Sequence, residues 1–220
     1  SKALSAQDSS TVGGGWYTGN VQDILSLKGD KSYAAYDLRH RFSMATIYNI
    51  PLFANAANRA IKTILGGWQL NAIVTEQTGF ALTVGGVGDT TGTGVGSRVS
   101  MVSGQSPGLS RSQRSRSKWF NTSAFFVTPM GSWGNAPRNP LHLPGLNNID
   151  LAANKYFRFS ERANLQFRAE MFNFVNHVNL GAPGTSILTP NTFGVITSSS
   201  QGPGATGDQR IIQLGLKLQF

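Results

Sequence analysis

Apolar and polar residues alternate along five stretches of the chain. The clearest is the last, Arg210 to Phe220. Ile212, Leu214, Leu216, Leu218 and Phe220 fall two apart there, with Ile211, Gln213, Gly215, Lys217 and Gln219 between them. Side chains on a strand point to alternate faces, so this spacing predicts a strand with one apolar and one mostly polar face. Leu38 to Ile50 repeats the pattern, with Phe42, Met44, Thr46, Tyr48 and Ile50 against Arg41, Ser43, Ala45 and Asn49. Pro51 ends it, because proline cannot donate to a ladder. Trp68 to Thr83 sets Trp68, Leu70, Ala72 and Val74 against Gln69, Asn71, Thr75 and Gln77, with Glu76 falling in the apolar row. Asn148 to Phe159 opposes Ile149, Leu151, Ala153, Phe157 and Phe159 to Asp150, Asn154, Tyr156 and Arg158. Arg162 to Phe174 opposes Ala163, Leu165, Phe167, Ala169 and Met171 to Asn164, Gln166, Arg168 and Glu170. Asn55 to Leu65 departs from alternation. Ile61, Ile64 and Leu65 there have helical spacing, and Gly66-Gly67 breaks the run.

The links between these stretches differ in length. Residues 1–37, 84–147 and 175–208 are long, with Ser1–Tyr36 reading as an irregular loop and Gly85–Gly145 showing little regular pattern; 51–66 is of medium length, and Ser160-Glu161 is a tight turn. Antiparallel neighbours place alternate links at opposite ends, so all the long links fall at one end. Compact soluble domains seldom carry such loops. Membrane barrels do, with long outer loops and short periplasmic turns. The polar row agrees: Arg168 and Glu170 are costly in a dry core and ordinary in a wet lumen. The expected fold is all-β, an antiparallel transmembrane β-barrel. Five strands are too few to close one. The sheet is therefore expected to be an open piece of wall with Leu38–Ile50 and Arg210–Phe220 at its edges. Its bare apolar rows and edges are expected to prevent a stable soluble monomer.

Composition narrows the reading. Charged residues make up 13% of the chain, against about 25% in ordinary soluble domains. No run approaches the ~18 apolar residues of a membrane helix, which leaves the closed barrel as the way across lipid. The chain has no cysteine, so disulfides and Cys-based metal sites are excluded. No signal-peptide pattern is visible at Ser1 and no Met stands there, so the sequence is expected to be an internal start.

The net charge is +9, but the basic residues are scattered and the aromatics fall on strand faces, which argues against nucleic acid. One basic cluster stands out, Arg111, Arg114, Arg116 and Lys118 among serines. It reads either as a solvated loop or as a surface for lipopolysaccharide phosphates. His40, His142 and His177 lie far apart without ligand spacing, so no metal site is expected. Gly86 to Gly92 lacks the Gly-Lys-Ser/Thr ending of a phosphate loop and reads as a flexible loop. No catalytic constellation is present, and neither an enzyme activity nor a cofactor is expected.

Several runs carry a family resemblance. Asp37-Leu38-Arg39-His40-Arg41-Phe42, Leu65-Gly66-Gly67-Trp68-Gln69-Leu70, Thr78-Gly79-Phe80, Trp119-Phe120-Asn121-Thr122-Ser123-Ala124-Phe125 and Glu170-Met171-Phe172-Asn173-Phe174-Val175-Asn176-His177 resemble the C-terminal barrel region of TonB-dependent receptors of the Oar-like type. The resemblance covers nearly all of residues 1–220 in order. It implies that they form one C-terminal part of a barrel of about 22 strands filled by an N-terminal plug. Plug and TonB contact would lie upstream. It also implies that the row Ile212, Leu214, Leu216, Leu218 and Phe220 is read by the barrel assembly machinery.

The function this implies is energy-coupled uptake of a substrate across the bacterial outer membrane. The expected partners are outer-membrane lipid, lipopolysaccharide, the assembly machinery and, through the missing N-terminal region, TonB. Arg158, Gln166, Arg168, Glu170 and Lys217 would face the lumen, either touching plug or substrate or forming a solvated wall. The alternatives are a non-transporting outer-membrane barrel for adhesion or surface structure, and a secreted β-sandwich binding module.

Overall fold

The computed structural model describes residues 4–5, 21–23, 25–53, 55–158, 163–199 and 209–220. In chain order its elements are β1 (Leu4–Ser5), β2 (Ser32–Tyr33), β3 (Arg41–Asn49), α1 (Arg59–Leu65), β4 (Trp68–Gln77), β5 (Ala81–Leu82), β6 (Ser100–Met101), β7 (Phe125–Phe126), β8 (Leu141–His142), β9 (Leu146–Arg158), β10 (Asn164–Phe172) and β11 (Ile211–Gln219). Among the described residues the long strands form one five-stranded sheet in the order β11-β10-β9-β4-β3. Every strand lies beside its sequence neighbour among these five, and the sheet is open, with β3 and β11 at its edges.

Pairing is antiparallel throughout. β10 pairs with β11 from Asn164↔Gln219 to Phe172↔Ile211 and with β9 from Asn164↔Arg158 to Met171↔Leu151. In the β3–β4 pair Ile50 N donates to Trp68 O and Thr78 N to His40 O, so partner numbers run in opposite directions. In the β4–β9 pair Gly145 lies against Gln77 at one end and Lys155 against Gly66 at the other.

The chain forms two compact units. The strand unit comprises Phe42–Glu76, Asn147–Val178 and Gln201–Phe220; the link unit comprises Ser1–Arg41, Gln77–Leu146 and Asn179–Ser200. In the strand unit the alternation is written into the sheet without a core beneath it. The side chains of β3 are all exposed, and Leu214 and Leu216 of β11 are 68% and 72% exposed. The apolar rows are not folded into a closed two-sheet core, which removes the β-sandwich alternative.

The run Glu170 to His177 ends β10 with two asparagines in left-handed backbone conformations, Asn173 (φ 47°) and Asn176 (φ 54°), which asparagine tolerates better than most residues. Asn173 N donates to Asp150 Oδ1 at 2.9 Å, and its amide side chain bonds both N and O of His177. Asn176 Oδ1 accepts from Arg210 N at 3.1 Å, tying the start of β11 to this turn. The Ser160-Glu161 turn lies outside the described residues.

Strand β4 stops earlier than the Trp68–Thr83 expected. A Cβ at Gly79 would come 1.7 Å from the Leu143 carbonyl oxygen, so the Thr78-Gly79-Phe80 run brings two backbones too close for any side chain. Beyond it the chain changes partner, and β5 pairs with β8 as Ala81↔His142 and Leu82↔Leu141.

The link unit corrects the expectation of little regular structure. It has a buried core of Val84, Val87, Val99, Phe120, Ala124, Phe125, Ala136, Leu141 and Phe193. Phe120 packs edge-on against Phe125 (centroids 5.9 Å) and Phe193 (5.2 Å). Between these side chains the backbone is stitched by short bridges rather than long ladders. β6 pairs with β7, Gly85 N donates to Thr185 O at 3.0 Å, and Trp119 N donates to Gly194 O at 2.8 Å. The expectation of an irregular segment over residues 1–36 is corrected where it is described. β1 pairs with β2, Gln22 spans Gly134 O (3.1 Å) and Arg98 N (2.7 Å), and buried Asp30 forms an ion pair with Arg98.

Candidate functional site

Strand register decides which side chains share a face. Reading across β11, β10 and β9, one face carries Leu218–Leu165–Phe157, Leu216–Phe167–Lys155, Leu214–Ala169–Ala153 and Ile212–Met171–Leu151. The other carries Gln219–Asn164–Arg158, Lys217–Gln166–Tyr156, Gly215–Arg168–Asn154 and Gln213–Glu170–Ala152. Arg158, Gln166, Arg168, Glu170 and Lys217 thus fall on one face, and Ile212, Leu214, Leu216 and Leu218 on the opposite one. The polar residues form a strip rather than a converging pocket. Arg168 makes an ion pair with Glu170 two residues on, and Gln166 Nε2 donates to Tyr156 Oη at 2.9 Å. Gly215 lies opposite Arg168 in the register. This wall of paired charge and hydrogen-bonding groups is suited to contact with water and polar solutes.

Sequence reasoning passed over Lys155, which lies in the middle of the apolar row. It is 2% exposed. Its Nζ donates to the Gly66 carbonyl and sits over the rings of Trp68 (5.6 Å) and Phe157 (5.1 Å). Trp68 in turn meets Phe167 edge-on at 6.0 Å. A buried cation needs a hydrogen-bonding partner, and cation–π contact adds to it. The signal was present in the sequence: Lys155 stands in phase with Ala153 and Phe157, where alternation calls for an apolar side chain.

The link unit holds the basic cluster. Arg111, Arg114, Arg116 and Lys118 are all exposed. The turn carrying them is fixed, because Ser115 N donates to Lys118 O at 3.0 Å and Lys118 N returns to Ser115 O at 3.2 Å. Ile196 N donates to Arg116 O, and the Arg114 guanidinium lies 5.4 Å over the Trp119 ring.

The Gly86 to Gly92 stretch is not the flexible loop expected. Val87 and Thr90 are buried. Asp89 turns the following backbone around its own carboxylate, accepting from Thr91 N (3.0 Å), Gly92 N (2.9 Å) and Gly94 N (2.6 Å). The Gly94 amide foremost, with those at Thr91 and Thr93, holds the carboxyl below the usual aspartate value. Amides that a phosphate loop offers to a ligand are here consumed by the protein itself. An open cleft of about 430 Å³ beside this turn is lined by Val87, Asp89, Thr90, Val127, Met130 and Leu188.

His142 lies beside Tyr33, ring centroids 6.4 Å apart. Burial, and then the positive charge of Arg39, push its imidazole below the usual value; Arg114 adds to this and Asp37 opposes it.

Comparison with known proteins accords with this geometry. No curated protein and no solved structure matches the chain. Residues 1–213 match the outer membrane beta barrel domain family. An antiparallel sheet with an apolar row on one face and a polar row on the other is what a wall between lipid and water requires. The chain belongs to the outer membrane beta barrel domain family, and its place is the bacterial outer membrane.

Proposed function

We propose that this barrel segment belongs to a TonB-dependent receptor that carries a substrate across the outer membrane with energy supplied from the inner membrane. The observation that carries the reading is the link unit. The links from β4 to β9 and from β10 to β11 share one buried core around Phe120, Phe125 and Phe193. Long outer loops packed this way form a fixed surface for capturing a solute, whereas a passive pore needs no such construction. The Trp119–Phe125 and Glu170–His177 runs, which carry the resemblance to these receptors, do structural work here, the first by placing Phe120 and Phe125 in that core and the second by closing β10. The polar strip from Arg158 to Lys217 supplies the wetted wall along which plug or substrate would lie. Arg111, Arg114, Arg116 and Lys118 supply an exposed cationic ridge for lipopolysaccharide phosphates, and the apolar row of β11 supplies the surface read during assembly.

The test is binding of the purified periplasmic domain of TonB to the full-length protein in detergent micelles. Saturable binding supports the receptor reading. An inserted, folded barrel that shows no binding belongs to a non-transporting surface protein instead.

A further inference from the structure

The link between β3 and β4 points to a second contact with the membrane. Helix α1 is seven residues long, and none of them is buried. At 100° per residue, Ala60, Ile61, Ile64 and Leu65 occupy one arc and Arg59, Lys62 and Thr63 the other. Ile61, Ile64 and Leu65 are 40%, 60% and 47% exposed, and Leu52 and Phe53 just before the helix are also bare. So short a helix is marginal in water, and an uncovered apolar arc gives it no stabilisation there. It is nevertheless held firmly. Asn58 Oδ1 caps its start through Ala60 N and Ile61 N. At its other end Trp68 Nε1 donates to Ile64 O at 3.2 Å, and Lys155 Nζ donates to Gly66 O.

Those two donors share a feature. Trp68 and Lys155 belong to the apolar row of the sheet, the row that faces lipid in this family. The carbonyl end of α1 is therefore fastened on the lipid-facing side of the wall rather than over its polar side. Lys155 is suited to this role, because a cation beside helix C-terminal carbonyls is favourable.

We propose that α1 and residues 52–53 form an interfacial foot. It lies in the phospholipid interface at the short-link rim, apolar arc toward the acyl chains and Arg59 and Lys62 toward lipid phosphates, with Lys155 and Trp68 as the residues that position it. Two observations select phospholipid as the occupant. The arc continues from a face that family membership already assigns to lipid, and its opposite arc carries positive charge complementary to phosphate. Short links of such barrels face the periplasm, where the leaflet is phospholipid. The inference rests on the barrel assignment and not on TonB coupling, so failure of either leaves the other standing.

The 220 residues contain no cysteine, so each cysteine introduced below is the single labelling site within them. The full-length protein, carrying Arg59→Cys, Ile61→Cys, Lys62→Cys, Ile64→Cys or Leu65→Cys with an environment-sensitive fluorophore, is inserted into phosphatidylethanolamine–phosphatidylglycerol vesicles. Part of the lipid carries a nitroxide high on the acyl chain. Quenching at 61, 64 and 65 should be at least twofold stronger than at 59 and 62. Uniform quenching at all five sites, weak or strong, overturns the proposal. So does shielding of 61, 64 and 65 from water without nitroxide quenching, which means that protein covers the helix. In the Lys155→Met background the contrast between arcs should fall by half or more. Should that variant not insert, Trp68→Leu is read the same way. Undiminished contrast in the inserted variant removes the positioning role.

Discussion

The strand unit and the link unit solve opposite problems with the same chain. The strand unit has period-2 alternation, long ladders and, on β3 and β11, apolar side chains left exposed. The link unit has no alternation, ladders of two residues, and a buried core of its own. The difference lies in what surrounds each. A strand between lipid and water leaves its apolar side chains to the solvent around it, so periodicity alone specifies it. A long link held in water must find apolar partners within itself, and it draws them from distant positions such as Val84, Phe120 and Phe193.

Removing a core ring tests that contrast most severely. Phe120→Ala should cost the link unit about 3–5 kcal/mol, as large-to-small substitutions at buried aromatics do. Amide exchange of the full-length protein should accelerate through residues 81–146 and 179–199 while β9–β11 stay protected. Equal loss in the strands would mean that the two units are not separable in stability. Next in size is charge on the lipid face. Leu216→Arg should destabilise the inserted barrel by about 2–4 kcal/mol, the cost of arginine near the bilayer midplane. Gln213→Arg, on the opposite face of the same strand, should change stability by no more than about 0.5 kcal/mol. Urea titration in vesicles reads both; equal effects would erase the distinction between faces.

A smaller effect is expected from pH. The imidazole of His142 is held below its ordinary value of 6.5 in the folded link unit. Above that pH it is neutral whether folded or unfolded, and nothing is at stake. As pH falls below about 6.5 the unfolded chain takes up the proton first, so stability is lost downward from there. Link-unit exchange should therefore accelerate between pH 7 and 5, with β9–β11 little affected, and His142→Gln should flatten the dependence. Persistence of the full pH effect in that variant would assign it to another group. The smallest effect concerns the cationic ridge. Replacing Arg111, Arg114, Arg116 and Lys118 together with glutamine should reduce lipopolysaccharide co-purification at low salt and leave it unchanged at high salt, where exposed charges are screened. No change at low salt would leave the ridge a solvated turn.

Much of the strand unit was legible in the sequence because period-2 alternation is a local signal. Five strands, their order and their edges followed from residues two apart. The ends were less legible. The β4 pattern continues past Thr78, and only the approach of Gly79 to Leu143, a neighbour 64 positions away, stops the ladder. Lys155 escaped notice because a charged residue in an apolar row looks like noise until Trp68, Phe157 and Gly66 are seen around it. The link-unit core was hidden for a different reason. Its apolar residues are spaced by turns and bridges with no common period, so Val99 and Phe193 look no different in sequence from exposed Val102 and Val178. The polar strip was readable as a face, since register follows from alternation, whereas the ion pair within it required coordinates.

The link-unit core also has a consequence for the order of events during biogenesis. Phe193 completes the cluster with Phe120 and Phe125, and the bridge Gly85↔Ser186 ties residues about a hundred positions apart. Contacts of such separation close slowly, because the intervening chain must be restrained first. Here that chain includes β9 and β10. The core therefore cannot be finished before both strands have been made. Until then Phe120 and Phe125 have each other but not the third ring, Phe193, and the cluster is incomplete. Residues 179–199 are thus the last part of the chain that this core requires, an order set by the loops rather than by the wall.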